Sequence, residues 1–203
     1  MAKLSIALLE VSNLAPAFMA ADICVKSAGV RLLGIESTDG ADQCIKIVGS
    51  IAEVRHAAET AQQAAERMGS TTSLTVLGAP DEVTAELADP DPAYNAALDN
   101  YDYRIPKEDS MSNTEAVGLL ESQGLVAALH ATDAMLKSSN IKVVGKEKIG
   151  AAYVTIMIQG DVAAVSNAIE VGRDAIERLG GKLIMADVLA RPHEDLVKLL
   201  PKM

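Results

Sequence analysis

Aromatic residues are scarce in this chain of 203 residues, which has four tyrosines, one phenylalanine and no tryptophan. Proteins that bind single-stranded nucleic acids stack the bases on exposed aromatic rings, so the composition argues against that function. The core must instead be built from alanine, valine, isoleucine, leucine and methionine. Hydrophobic residues make up 49% of the chain, which predicts a folded protein.

Basic residues are too few to balance the acidic ones. The chain has 18 lysines and arginines against 28 aspartates and glutamates, so its net charge is -10. A strong negative charge repels phosphate backbones and anionic membrane surfaces. We therefore expect neither nucleic acid nor a membrane as a partner.

Long apolar runs and paired cysteines are absent as well. No stretch approaches the roughly 18 apolar residues of a membrane span, and the first apolar run stops at Glu10, too early for a secretory signal. The two cysteines, Cys24 and Cys44, form neither a CxxC motif nor a disulfide framework. We expect a cytoplasmic protein whose thiols act as small buried apolar groups.

The most informative feature is an internal duplication at an offset of 111 residues. Residues 4–70 align without a gap against 115–181, and about 23 of these 67 positions are identical. The matches include Leu8-Leu9-Glu10 with Leu119-Leu120-Glu121, and Lys26-Ser27 with Lys137-Ser138. One extra residue in the second copy then brings Pro80 level with Pro192. The chain therefore contains two copies of one unit.

Each copy predicts four strands and two helices. In the second copy, apolar runs and period-two alternation predict the strands, and spacings of three and four predict the helices. Their order is strand 116–121, helix 125–138, strand 141–146, strand 154–159, helix 162–179 and strand 183–189. This pattern predicts an α+β fold of two tandem ferredoxin-like βαββαβ domains, each an antiparallel sheet with helices on one face.

Residues 88–113 differ in composition from both copies and predict a linker between domains at 1–87 and 114–203. The segment holds three prolines and three of the four tyrosines, and a short helical turn is predicted near 93–98. It is either a plain tether or a segment whose tyrosines dock on the body and fix how the copies face each other.

Catalytic groups are hard to find. The three histidines, His56, His130 and His193, recur with no nucleophile motif, and no dinucleotide, phosphate-loop or zincin motif occurs. We therefore expect no catalytic residues, no cofactor and no metal site. Asp39 and Asp42 could ligate a metal, but a solvated acidic turn is the commoner explanation of two carboxylates at this spacing.

The second copy resembles the shell proteins of bacterial microcompartments. The resemblance is carried by Lys-Ile-Gly at 148–150, Gly-Asp-Val at 160–162 and Arg-Pro-His at 191–193. These motifs are specific in combination, and the first copy shares them only through the internal repeat. Two such units in unpermuted order are similar to the tandem-domain class, which implies a homotrimer with pseudo-sixfold symmetry around a central pore.

The resemblance also implies which residues form the pore and the tile edges. The pore would be lined by two loops, whose residues are Thr38, Asp39, Gly40, Lys148, Ile149, Gly150 and Ala151. The edges between neighbouring tiles would be formed by Lys26, Lys137, Arg191 and His193. The first copy has Ala79-Pro80-Asp81 in place of Arg-Pro-His, so the edges would be unequal. Some trimers of this class hold an iron–sulfur cluster on a pore cysteine, but Asp39 stands about there in this chain.

A shell tile would have other shell proteins, both hexamers and pentamers, as partners, together with small permeants and in some cases encapsulated enzymes. Its location would be the microcompartment shell in the cytoplasm. The main alternative is a soluble duplicated module that binds a small molecule or regulates, since ligands often bind between duplicated α+β units. An enzyme is the third hypothesis.

Overall fold

The computed structural model describes residues 4–38, 41–88, 103–104 and 115–200. Its contacts divide the chain into two compact units, one around each repeat. The first comprises Met1–Ser110 with Asp195–Leu199, and the second comprises Met111–Glu194 with Leu200–Met203. The linker boundaries at 88–113 stay a prediction, and the helical turn expected at 93–98 lies outside the described residues.

The first repeat, with the residues that follow it, forms an antiparallel sheet in the order β4-β1-β3-β2-β5. Its elements in chain order are β1 Ser5–Ser12, α1 Leu14–Ser27, β2 Arg31–Ser37, β3 Asp42–Gly49, α2 Ile51–Arg67, β4 Thr72–Leu77, α3 Glu82–Ala88 and β5 Tyr103–Arg104.

The second repeat forms an antiparallel sheet in the order β7-β8-β6-β9. Its elements are β6 Ala116–Gln123, α4 Leu125–Ser138, β7 Lys142–Lys148, β8 Tyr153–Gly160, α5 Val162–Arg178, β9 Lys182–Leu189 and α6 Glu194–Val197. Equivalent strands hold equivalent places in the two sheets, so the predicted fold of two βαββαβ units is confirmed.

The two long helices of a repeat cover one face of its sheet. In the second repeat, Leu120 of β6 and Ile156 of β8 share a buried cluster with Met135 of α4 and Ile169 of α5. Leu120 and Ile156 pair across neighbouring strands, so their side chains point to the same face. This cluster is the core of the repeat.

Two short elements of the first unit were not predicted. Helix α3 packs Ala85 and Ala88 against Ile6 and Val48, on the face of the sheet away from α1 and α2. Strand β5 pairs with the outer edge of β2, where Tyr103 lies opposite Glu36. Part of the predicted linker is thus a fifth strand of the first sheet.

Side-chain caps begin the second long helix of each repeat. Ser50 caps α2, because its hydroxyl accepts from the Glu53 backbone N–H at 3.4 Å and donates to the Glu53 carboxylate at 2.6 Å. The Asp161 carboxylate accepts from the Ala163 backbone N–H at 2.9 Å and caps α5. The Gly-Asp-Val motif therefore has a local structural role as a helix start.

The helices of the second repeat pack closely where Gly172 of α5 meets Met135 of α4. A Cβ atom on Gly172 would lie 2.8 Å from the Met135 sulfur, closer than real contacts allow. At the offset of 111 the first repeat has Ala61 and Cys24 in these places. The second repeat thus has a large side chain opposite a glycine, whereas the first repeat has two residues of intermediate size at the same places.

We expect Gly172→Ala to depend on residue 135. In the wild type, the gain of about 1 kcal/mol in helix propensity from glycine to alanine is cancelled by the clash with Met135. In Met135→Cys, which leaves a cavity, the same substitution should recover about 1 kcal/mol or more. Urea denaturation of the wild type, both single variants and the double variant measures this coupling. An equal effect of Gly172→Ala in both backgrounds would contradict the prediction.

Candidate functional site

The two loops predicted at the pore are held by equivalent backbone hydrogen bonds. In the first repeat the Asn13 N–H donates to Ala41 O at 3.1 Å, and in the second the Gly124 N–H donates to Ala152 O at 2.8 Å. A second bond closes each loop, and these bonds also stand 111 residues apart. They are Thr38 N–H to Asp42 O at 2.9 Å and Ile149 N–H to Tyr153 O at 3.3 Å.

The loop of the second repeat is a tight turn in left-handed conformations. Gly150, Ala151 and Ala152 have φ angles of 89°, 46° and 65°, and the Tyr153 N–H donates to Gly150 O at 2.8 Å. Glycine adopts a positive φ without the steric cost that a side chain brings. The Gln123 side chain, from the end of β6, donates to Ala151 O at 3.0 Å and supports the turn.

The loop of the first repeat is supported by a buried side chain that the sequence analysis did not select. The Gln43 amide donates to Asp42 O at 3.0 Å and to Ala41 O at 3.4 Å. Its oxygen accepts from the Ser37 hydroxyl at 3.0 Å. The available signal was a glutamine near the start of a strand, at the place where the second repeat has the apolar Val154.

Replacing Gln43 with leucine should lower the free energy of unfolding by about 1–3 kcal/mol, because buried hydrogen-bonding groups of the loop lose their partner. The matched control is Gln123→Leu, whose hydrogen bond to the loop is exposed to solvent and worth about 0.5 kcal/mol. Urea denaturation of both variants gives the comparison. Equal losses would show that Gln43 does not anchor its loop.

The predicted pore residues differ in exposure. Lys148, Gly150 and Ala151 are exposed, whereas Ile149 is buried. Thr38 is half-buried, and its hydroxyl donates to Asp42 O at 3.2 Å. Asp39 and Gly40 lie outside the described residues. Lining of a pore by these residues stays a prediction.

The charge beside the two loops also differs. Behind the first loop, Lys46 is buried and pairs with Glu36 at 2.5 Å. The second repeat has Met157 in place of Lys46, and its exposed lysines, Lys146 and Lys148, lie on β7 instead. The two loops therefore have the same backbone hydrogen bonds but different charged residues beside them.

Both cysteines are buried, and neither is a reactive site. Burial raises the pKa of the Cys24 thiol to about 12. Burial also raises the pKa of Cys44 to about 11, with a smaller lowering effect of Lys46 and smaller raising effects of Glu10 and Glu36. Thiols with such pKa values stay protonated at neutral pH, and a protonated thiol is a poor nucleophile.

Two of the predicted tile-edge residues lie in equivalent ion pairs. Lys26 pairs with Asp22 at 2.5 Å in the last turns of α1, and Lys137 pairs with Asp133 at 2.6 Å in α4. The other two edge residues follow β9, where Arg191 is exposed and His193 is half-buried just before α6. Their contacts with a neighbouring tile stay predictions.

No metal cluster was found in the part of the chain that the structure describes. Among those residues, no three His, Cys, Asp or Glu side chains come together as a metal site. A cavity of about 120 Å³ in the first repeat is lined mostly by polar residues, and ligand pockets usually enclose about 300–1,000 Å³. Its lining is Glu10, Val11, Ser12, Asp42, Thr71, Thr72 and Ser73.

The fold and the loops together define a duplicated α+β protein. Each of its two copies carries one loop, and equivalent backbone hydrogen bonds hold both loops. Comparison with protein families identifies the unit. The BMC domain matches residues 5–80 and again residues 116–192, which are the two repeats. The chain belongs to the BMC domain family and carries two copies of its domain.

Individual relatives match most of their own length. Carboxysome shell protein CsoS1C and major carboxysome shell protein CsoS1A, both of Halothiobacillus neapolitanus, are 41% identical over 87 residues, which are 43% of this chain and 89% of each relative. Carboxysome shell protein CsoS1 of Prochlorococcus marinus is 42% identical over 81 residues, 40% of this chain and 79% of that protein.

A solved structure also aligns with the chain over nearly its full length. It is a microcompartment protein from Desulfitobacterium hafniense DCB, 21% identical, and the match covers 97% of this chain and 99% of that one. Its TM-score of 0.40 is too low to support a structural argument. Among the described helices, none combines the length and apolar character needed to cross a membrane.

Proposed function

We propose that the chain is a structural shell tile of a bacterial microcompartment, in which three copies form a pseudohexameric ring around a central pore for small metabolites. The observation that carries the proposal is the match of the BMC domain to both repeats. The relatives named as carboxysome shell proteins support a location in a microcompartment shell.

The ring follows from the duplication and from symmetry. A closed ring of six equivalent wedges can be built from three chains when each chain supplies two wedges. The two repeats can serve as equivalent wedges, since they share the order of their strands and the backbone hydrogen bonds of their loops. The pore would then alternate first-repeat loops, with Thr38, Asp39 and Gly40, and second-repeat loops, with Lys148 to Ala151.

Partners of such a tile would be other shell proteins that meet its edges at Lys26, Lys137, Arg191 and His193. Exposed lysine and arginine side chains suit this role, because their long stems carry several hydrogen-bond donors to a neighbour's carbonyl groups. The tile itself would be a wall component without catalytic residues.

Mass measurement and electron microscopy test the proposal together. The purified chain of 21.2 kDa should have the mass of a trimer in mild buffer, and overexpression should give flat sheets or closed shells with shell hexamers. A stable monomer would overturn the ring. A trimer that never joins sheets or shells would overturn the tile.

A further inference from the structure

The cavity of the first repeat lies at a corner of its sheet, where β1 ends and β3 and β4 begin. Ser12 of β1 lies opposite Asp42 of β3, and Glu10 of β1 lies opposite Ser73 of β4. Because Glu10 and Ser12 are two residues apart on one strand, these four side chains lie on the same face of the sheet. Thr71 borders the cavity, and its N–H donates to the Ser12 hydroxyl at 2.9 Å. These five residues are called the first-repeat corner.

The polar side chains of this corner carry only oxygen atoms. Glu10 and Asp42 contribute two exposed carboxylates, and the other three residues contribute hydroxyl groups. Residues that are diagonal to each other on one face of two antiparallel strands stand about 7–8 Å apart, so both carboxylates can reach one ion between them. Oxygen ligands without a thiol or an imidazole suit divalent cations such as Mg²⁺ and Ca²⁺.

The negative charge of the corner is not balanced by a neighbouring side chain. Across the residues that the structure describes, neither Glu10 nor Asp42 takes part in an ion pair, whereas Glu36 of the same sheet pairs with Lys46. Two carboxylates that share a site repel each other, and a cation between them removes this repulsion. The sequence suggested Asp42 as a metal ligand, and the structure adds Glu10 from a different strand.

The second repeat carries a positive group of its own at the equivalent corner. There Tyr153 stands in place of Asp42, and Lys182 stands in place of Thr71. The Lys182 ammonium lies 5.8 Å from the centre of the Tyr153 ring, within the range of a cation–π contact. The same corner of the fold therefore holds a cation in one repeat and two carboxylates in the other.

We propose that the first-repeat corner binds a divalent cation of the Mg²⁺ and Ca²⁺ class through the carboxylates of Glu10 and Asp42 and the hydroxyl oxygens beside them. The cavity of about 120 Å³ has room for the ion and several of its water ligands, since one water needs about 10–15 Å³. Two exposed carboxylates predict a dissociation constant of about 10⁻⁴–10⁻³ M. All the ligands belong to one repeat, so the site does not depend on the proposed ring.

The cation would lie at the base of the loop that is predicted at the pore. The Asp42 backbone oxygen accepts from the Thr38 N–H, in the hydrogen bond that closes this loop. Binding would cancel the negative charge of Glu10 and Asp42 beside the loop. The second repeat has a permanent positive group in Lys182, so the charge beside the first-repeat loop alone would follow the concentration of the cation.

The first experiment uses Mn²⁺ as the probe, because it prefers the same oxygen ligands and free Mn²⁺ can be counted by electron paramagnetic resonance. Titration of the purified chain should show one saturable site per chain, from which excess Mg²⁺ displaces Mn²⁺. Glu10→Gln should weaken binding about 10-fold or more, because one of two charges on a divalent ion is lost. The matched control is Glu59→Gln, which removes the same charge from an exposed position of α2 and should bind Mn²⁺ as the wild type does.

The second experiment transfers the ammonium group of the second repeat to the first. Thr71→Lys places a lysine where the second repeat has Lys182, and Thr71 is exposed, so the fold should be kept. The new ammonium should compete for the two carboxylates and abolish binding of Mn²⁺. Gln63→Lys adds the same charge at an exposed position of α2 and should leave binding unchanged. Circular dichroism verifies the fold of both variants.

The outcomes distinguish the site from general attraction of cations to an acidic protein. Loss of binding in Glu10→Gln and Thr71→Lys, with normal binding in both control variants, would support the site. No saturable binding to the wild type, or equal weakening in Glu10→Gln and Glu59→Gln, would overturn it. Displacement of Mn²⁺ by ethylammonium at lower concentration than by Mg²⁺ would overturn the divalent class. These results hold for a monomer and a trimer alike, so they are separate from the test of the ring.

Discussion

Alanine in place of Lys137 or Arg191 is expected to abolish flat sheets while the trimer remains intact. Both side chains are exposed, and each can donate several hydrogen bonds to backbone carbonyl groups of a neighbouring tile. Each contact is repeated three times around a trimer, so a loss of about 1 kcal/mol per contact is multiplied at every tile. Sheet growth should therefore fail completely rather than slow down.

Lys142→Ala is the matched control, because Lys142 is another exposed lysine of the same repeat and its removal changes the net charge equally. Electron microscopy of overexpressing cells and mass photometry of the purified trimers give the two readouts. Normal sheets in both Lys137→Ala and Arg191→Ala would contradict the edge assignment. Loss of sheets in Lys142→Ala as well would attribute the effect to charge alone.

The second large effect is expected at the pore from Asp39→Asn. If three Asp39 carboxylates line the proposed pore, each would contribute about 0.2 kcal/mol of screened repulsion in water to a monovalent anion about 8 Å away, or about 0.6 kcal/mol together. Removing this charge should raise the ratio of anion flux to neutral flux about threefold. The low dielectric of the surrounding protein makes this value a lower bound.

Flux of an anionic and a neutral probe of similar size through assembled shells measures the ratio. The matched control is Glu170→Gln, which removes the same charge from the exposed side of α5. An unchanged ratio in Asp39→Asn would show that Asp39 does not line the pore. A similar rise in both variants would show that the pore senses only the overall charge of the tile.

The fold could be predicted because the internal duplication shows the same pattern of strands and helices in two aligned copies. A single apolar run such as 116–121 suits either a strand or a helix segment, but the aligned run in the first copy must have the same structure. The order of strands and helices is then predicted independently from each copy, and the two predictions agree. The identity of the family rested on three short motifs in one copy, and the match of the BMC domain to both copies confirmed it.

The features that were missed depend on contacts distant in the sequence. Strand β5 has only two residues, and its strand character comes from pairing with β2 rather than from its own composition. Helix α3 has seven residues, too few for a periodic pattern, and it packs on the sheet through the buried Ala88 and the partly buried Ala85. The role of Gln43 could not be predicted because the acceptors of its amide are backbone carbonyl groups, whose positions only the folded loop defines.

The unequal exposure of α1 and α4 could not be predicted either. Leu14 and Leu125 are the same residue at the same place in the repeat, and the local sequence gives no reason for one to be buried and the other exposed. The apolar pattern along a helix predicts which residues face its own sheet, and it does not predict how much of the remaining helix surface is covered.

The shared hydrogen bonds of the two loops also limit how this protein can evolve. The bonds of Asn13 to Ala41 and of Gly124 to Ala152 hold loops of equal length, and the alignment crosses both without a gap. An inserted residue would break a hydrogen bond that holds the loop in position, so variation there is confined to substitution of side chains. The one extra residue of the second repeat is instead accommodated within its last strand, where the pairing of β9 with β6 skips Ile184. Permeability of the proposed pore would therefore diverge by substitution, whereas length changes would be confined to the edge strand of each sheet.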